Sequence, residues 1–105
     1  MKTLVTCFAL LLAACGGATT SLDICHAGCD SAGRCVPEPT SQIQMCHQNC
    51  DAMGPEFIQT DKAENGACKN AEDMRSKTVG CYQGTCDQVS SCVQQVQASC
   101  VVTQG

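Results

Sequence analysis

The residues of this chain that could do chemistry lie in two copies of a short motif. Residues 25–30 read Cys-His-Ala-Gly-Cys-Asp, and residues 46–51 read Cys-His-Gln-Asn-Cys-Asp at a constant offset of 21. The motifs contain His26 and His47, the two histidines of the chain. Imidazole nitrogens and carboxylate oxygens are ligands of zinc and copper, so one hypothesis is a surface metal site built from these histidines and the motif aspartates, Asp30 and Asp51. The alternative is a pair of solvated histidines that duplication has copied.

The cysteines of the motif do not indicate an enzyme. Cysteines that have formed disulfides offer no thiolate to a zinc ion. The order Cys-His-x-x-Cys reverses the c-type haem signature, and the redox motif Cys-x-x-Cys does not occur in the sequence. Hydrolase, phosphate-loop and zinc-protease motifs are also missing from it. We therefore expect no catalytic residue, no cofactor and no enzyme activity.

The first fourteen residues are typical of a bacterial signal peptide. Lys2 precedes an apolar run over residues 4–14, which is shorter than the roughly 20 residues of a membrane-spanning helix. The run ends in Leu-Ala-Ala-Cys, which resembles the lipobox of bacterial lipoproteins. That resemblance implies cleavage between Ala14 and Cys15 and a lipid on Cys15. The alternative is an ordinary secretory signal with a cysteine beside its cleavage site.

The cysteine count supports the lipobox. Of the twelve cysteines, Cys7 is removed with the signal and Cys15 carries the lipid, which leaves an even number that can all pair. Export places them in an oxidising compartment, where disulfides persist. Large apolar residues are few and tryptophan is absent, so we expect bridges to supply much of the stability. The candidates are Cys25, Cys29, Cys35, Cys46, Cys50, Cys68, Cys81, Cys86, Cys92 and Cys100.

Charge and composition limit the partners. Six basic residues stand against ten acidic ones, and the formal net charge of −4 offers no basic patch for nucleic acid. We expect the lipid on Cys15 to be the membrane attachment, with an unidentified envelope protein as partner. The predicted organisation is a signal peptide (residues 1–14), a lipidated cysteine with a flexible tether (15–21) and a cysteine-rich helical domain (22–105). Gly16, in place of the aspartate that retains enterobacterial lipoproteins in the inner membrane, favours the outer membrane.

Each motif copy predicts a helix, because its two cysteines are four residues apart and share a face with apolar neighbours. Two such helices joined by a loop over residues 34–40 suggest an antiparallel hairpin. Its natural bridges are Cys25–Cys50 and Cys29–Cys46, although ten cysteines allow many other pairings.

The remaining segments are assigned by caps and periodicity. Ser21 is expected to cap the first helix, and Ser41 with Gln44 to form a capping box for the second. Gly33 and Gly54 are expected at helix C-termini. Residues 54–66 are predicted to be irregular, 67–74 weakly helical and 79–84 a turn. A last helix follows a capping box of Thr85 with Gln88. The predicted fold class is all-α: a small disulfide-stapled domain with a helical hairpin and a C-terminal helix.

The cysteine spacing Cys-x3-Cys-x5-Cys-x10-Cys-x3-Cys, together with the start Leu-Ala-Ala-Cys-Gly-Gly, resembles the small cysteine-rich lipoproteins of myxobacteria and related deltaproteobacteria. The resemblance implies an envelope location and disulfide-linked helices, and it implies no activity.

Overall fold

A computed structural model describes residues 18–37 and 39–103 of the chain. The predicted signal peptide, its cleavage site and the lipidated Cys15 lie outside the described residues.

The described residues form an all-α domain, as the sequence predicts. One turn of 3₁₀-helix at Cys86–Gln88 precedes the last helix. The C-terminal residues return to the link between the third and fourth helices, where Cys68 and Val102 form an isolated β-bridge. The five α-helices in this part of the chain are α1 (Ser21–Cys35), α2 (Thr40–Ala52), α3 (Gly54–Ala67), α4 (Ala71–Tyr82) and α5 (Val89–Ala98).

Helix α1 is capped one residue before the predicted position. Thr20 accepts a hydrogen bond from the backbone N–H of Asp23, and the Asp23 carboxylate accepts one from the N–H of Thr20, which completes a capping box. Ser21 is the first helical residue and is not the cap. The predicted end at Gly33 is also wrong, because no glycine among the described residues has a positive φ and the helix continues to Cys35.

The second capping box and the irregular segment are not observed. Helix α2 begins at Thr40 after Pro39, with no side-chain cap, so Ser41 and Gln44 do not have the predicted role. Gly54 begins helix α3 instead of ending α2, and Pro55 fits the first turn because that position needs no N–H. The predicted irregular segment is therefore helical. It buries no residue fully, which explains why its sequence carries no apolar period.

The C-terminal half is more helical than predicted. Helix α4 runs through the expected turn to Tyr82 and ends at Gln83. Thr85 precedes the 3₁₀ turn without a side-chain cap, so the predicted box with Gln88 is not formed. Helix α5 buries Val96 from its predicted apolar stripe.

Cysteines are the majority of the buried apolar residues in the described part of the chain. Cys29, Cys50 and Cys81 are at most 4% exposed, and the other buried apolar residues are Ala71 and Val96. A core this small gives a modest hydrophobic contribution, so the bridges must restrict the unfolded chain.

All ten cysteines from Cys25 onward are paired. Cys25–Cys50 and Cys29–Cys46 join α1 to α2, as the hairpin geometry predicts, and both have Cα separations of 5.8 Å. Within α3–α5 and the C-terminal segment the bridges are Cys68–Cys100 and Cys81–Cys92. The remaining bridge, Cys35–Cys86, is the disulfide that joins the hairpin to the other helices of the described chain.

None of the helices within residues 18–37 and 39–103 has the length and the apolar content needed to cross a membrane.

Two glycines of α1 should respond differently to alanine. A Cβ at Gly28 would touch Tyr82 at an ordinary 3.8 Å, so Gly28→Ala is expected to raise the free energy of unfolding by about 0.5–1 kcal/mol through helix propensity. A Cβ at Gly33 would meet Ile43 at 3.2 Å, so Gly33→Ala should gain less or lose stability. Urea denaturation of both variants with intact bridges measures the difference. Equal gains would show that Gly33 is not needed for the approach of α2.

Candidate functional site

The two hairpin bridges set the register that brings the motif copies together. Moving four residues forward on α1, from Cys25 to Cys29, moves four residues back on α2, from Cys50 to Cys46. The histidine that follows the first cysteine of each motif is therefore placed close to its counterpart on the other helix. The predicted candidates His26 and His47 form one cluster and are not separately solvated.

The histidine rings meet edge to edge. The Nδ1 atoms of His26 and His47 are 2.5 Å apart, the ring centroids are 4.7 Å apart and the ring planes differ by 17°. The centroid separation is close to the nitrogen gap plus the two ring radii, so the rings are nearly coplanar and do not overlap face to face. Each Nδ1 therefore points towards the other.

Each ring is held on its outer side by the aspartate of the opposite motif copy. The Nε2–H of His26 donates to Asp51 Oδ1, and the Nε2–H of His47 donates to Asp30 Oδ1, both at 2.8 Å. A carboxylate can only accept, which assigns the hydrogen of each ring to Nε2. The histidines are 30% exposed and the aspartates 70–74% exposed, so the cluster is open to solvent.

The sulfur atoms beside this cluster do not form a metal site. Cys25, Cys29 and Cys50 lie close enough to resemble a ligand group, because the two hairpin bridges are adjacent and the sulfurs of Cys29 and Cys50 are 3.6 Å apart. All three are bonded in disulfides, so they supply no thiolate. The nitrogen and oxygen ligands of the hairpin are the donors available for a cation there.

A second polar cluster, at Arg75, was not found from the sequence. The side chain is 5% exposed, and each guanidinium nitrogen donates to an oxygen: Nε to the carbonyl of Thr19, Nη1 to Glu64 and Nη2 to Asn65. Asp61 lies 3.7 Å from Nε and accepts hydrogen bonds from the backbone and hydroxyl of Ser21. A lone arginine in a polar sequence gives no signal of such burial.

The Arg75 cluster has a structural role. It joins the start of α1 to α3 and α4, and it lies beside a cavity of about 480 Å³ whose apolar lining includes Ile24, Phe57 and Tyr82. Because each of its three side-chain nitrogens already donates to an oxygen of the protein, Arg75 is used mainly to hold these elements together. The histidine cluster is the stronger candidate for function.

Comparison of the chain with models of protein families, with curated proteins and with solved structures finds no match. The class of protein that the fold defines is a small all-α domain held by five disulfides.

Proposed function

We propose that this protein is a lipid-anchored protein of the bacterial cell envelope, with Cys15 as the lipidated residue and a non-enzymatic binding or structural role. The observation that supports the proposal most is the complete pairing of the ten cysteines from Cys25 to Cys100. None of them needs Cys15 as a disulfide partner, so the lipobox cysteine is left for acylation. Five bridges also favour export to a compartment in which disulfides persist.

The contacts of Thr19 and Ser21 support a position close to the membrane surface. Thr19 is held by Arg75 and Ser21 by Asp61, so the packed domain begins only a few residues after Cys15. The four residues from Cys15 to Thr19, even when fully extended, can separate the lipid from the domain by at most about 14 Å. We infer that the domain lies against the outer membrane, and that it belongs with the small cysteine-rich lipoproteins it resembles.

The proposed role is non-enzymatic because the scaffold is rigid and the sequence carries no catalytic motif. A disulfide-stapled domain of this size presents a fixed surface at low entropic cost, which suits binding to another envelope macromolecule. Crosslinking of the lipidated protein in intact cells should give a defined adduct with an envelope component. A monomer that never crosslinks in its own envelope would contradict the interaction role.

Cys15→Ala is expected to abolish lipidation and, with it, attachment of the mature domain through the lipid. The wild-type protein should be recovered in the membrane fraction with a mass that fits cleavage before residue 15, a lipid and ten oxidised cysteines. The variant should lack the lipid and leave the membrane fraction or remain unprocessed. Intact-mass spectrometry of non-reduced protein and cell fractionation measure both properties.

Cys7→Ser is the matched control, because it removes a cysteine of the predicted signal peptide and should leave the mature mass unchanged. A Cys15→Ala protein that still carries lipid, or a wild-type protein cleaved elsewhere without lipid, would overturn the proposal.

A further inference from the structure

We propose that His26 and His47 bind one late first-row transition-metal ion, Cu²⁺ in preference to Zn²⁺, through their two Nδ1 atoms. The inference does not depend on the lipid anchor. It rests on the geometry of the hairpin cluster and on the number of hydrogens that the two rings can carry.

The outer hydrogen bonds leave the two Nδ1 atoms facing each other, with no other partner for either atom among these contacts. Each neutral imidazole has one N–H, and in both rings it is donated to a carboxylate, Asp51 or Asp30. The two Nδ1 lone pairs therefore face each other at 2.5 Å, which is a repulsive arrangement. A positive charge between them, a metal ion or a shared proton, removes the repulsion. The two carboxylates add a negative field that favours a bound metal ion.

The hydrogen bonds from Nε2 of the two histidines to the aspartates are of the kind that metal-binding histidines make. A histidine that binds a metal usually donates the N–H of its second ring nitrogen to a carboxylate or a carbonyl. This hydrogen bond fixes the tautomer and makes the ligating nitrogen more basic. Both histidines have this partner, and each partner comes from the opposite helix. The hairpin bridges lie next to the cluster and fix the spacing of the helices, so the two histidines are held close together before the ion arrives.

The ligand type favours copper, because a site of nitrogen and oxygen ligands generally binds Cu²⁺ more tightly than Zn²⁺. Two nitrogens in neighbouring positions of a square-planar ion, with bonds of about 2.0 Å, stand about 2.8 Å apart. The tetrahedral angle of zinc, at about 2.0–2.1 Å, separates them by about 3.3 Å. Either arrangement requires the two Nδ1 atoms to move apart from their separation of 2.5 Å. Both rings must turn outwards so that their lone pairs converge, and the exposed aspartates can follow them while water completes the coordination.

Copper titration of the purified protein with all five bridges formed tests the proposal. Calorimetry should give one Cu²⁺ per chain, and electron paramagnetic resonance should show coupling to two equivalent nitrogens. Zn²⁺ should bind more weakly, and Mg²⁺ and Ca²⁺, which prefer oxygen ligands, should not compete.

Variants separate one shared site from two independent histidines. His26→Asn and His47→Asn should each lower the affinity at least about 100-fold and leave coupling to one nitrogen, since a direct ligand contributes more than an outer partner. Asp30→Asn with Asp51→Asn should lower the affinity about 10- to 100-fold while both nitrogens remain ligands. The charge-matched control, Asp73→Asn with Asp87→Asn, should have little effect.

Circular dichroism and non-reducing mass spectrometry verify that every variant is folded. Two bound ions per chain, with each histidine variant losing only one of them, would overturn the proposal. So would the absence of copper binding, or binding of Zn²⁺ more tightly than Cu²⁺. An Nδ1 hydrogen shared by the two rings in nitrogen-15 NMR spectra would then show that a proton alone joins them.

Discussion

A Cys35→Ser/Cys86→Ser variant is expected to lose about 4 kcal/mol of unfolding free energy, the largest loss for any one bridge. In the chain-entropy description, the stabilisation by a disulfide grows with the length of the loop that it closes, and this one spans 51 residues. The other four bridges lie within the hairpin or within the C-terminal helices, so none of them replaces this link.

Urea denaturation followed by circular dichroism measures this loss, with the eight remaining cysteines oxidised. The comparison is Cys81→Ser/Cys92→Ser, which opens the shortest loop, of 11 residues, and should cost about 3 kcal/mol. If the two losses are equal, or if the order is reversed, loop length does not determine the stability of this domain.

Arg75→Met is expected to destabilise the domain by about 3–5 kcal/mol, because it removes one partner of a buried ion pair and leaves the others uncompensated. Methionine keeps the length and apolar stem of the side chain but cannot donate to Thr19, Glu64 or Asn65. Asp61, whose side chain is only 14% exposed, would lose its nearest cation.

Lys77→Met on the same helix is the matched control. Lys77 pairs with Asp73 at 2.9 Å, but both side chains are more than half exposed, so the loss should stay below about 1 kcal/mol. Denaturation curves of the two variants, measured under the same conditions, give the loss of unfolding free energy in each. Similar losses for both would mean that the Arg75 cluster contributes no more than a surface ion pair.

The hairpin was predictable because its signals are local and repeated. Cysteines four residues apart mark one helical face, and two such faces joined by a short loop have one natural antiparallel arrangement. The bridges Cys25–Cys50 and Cys29–Cys46 follow from that arrangement. The all-α class follows as well, since no alternating apolar pattern competes with the helical one.

Helix α3 and the helix starts were not predictable by the same means. Helix α3 buries no residue fully and is held by contacts from Asp61 and Glu64, so its polar sequence looks like a loop. At the helix starts, several serines and threonines are equally suitable as caps by sequence, and the cap that forms depends on tertiary contacts. Thr20, and not Ser21, caps α1, and its neighbours Thr19 and Ser21 are bound by Arg75 and Asp61.

The members of the histidine cluster could be predicted from the sequence, but their contacts could not. The repeat identifies His26 and His47 as the candidate ligands and places one on each helix of the hairpin. Their contact, and the exchange of aspartates between the motif copies, depend on a register that is known only once the bridges are assigned. Sequence spacing alone would pair each histidine with the aspartate of its own motif, which the structure does not do.

The exchange of partners between the two motif copies makes the hairpin equivalent to an isologous dimer fused into one chain. The contact of a first cysteine with a second cysteine and that of a histidine with an aspartate each occur twice, with the roles of the two copies reversed. The contact between the two histidines occurs once and lies where the two-fold axis of such a dimer would pass. A peptide with one copy of the motif therefore holds every group needed to pair with a second copy of itself. A substitution at a cysteine, histidine or aspartate of one copy therefore removes a contact with the other copy.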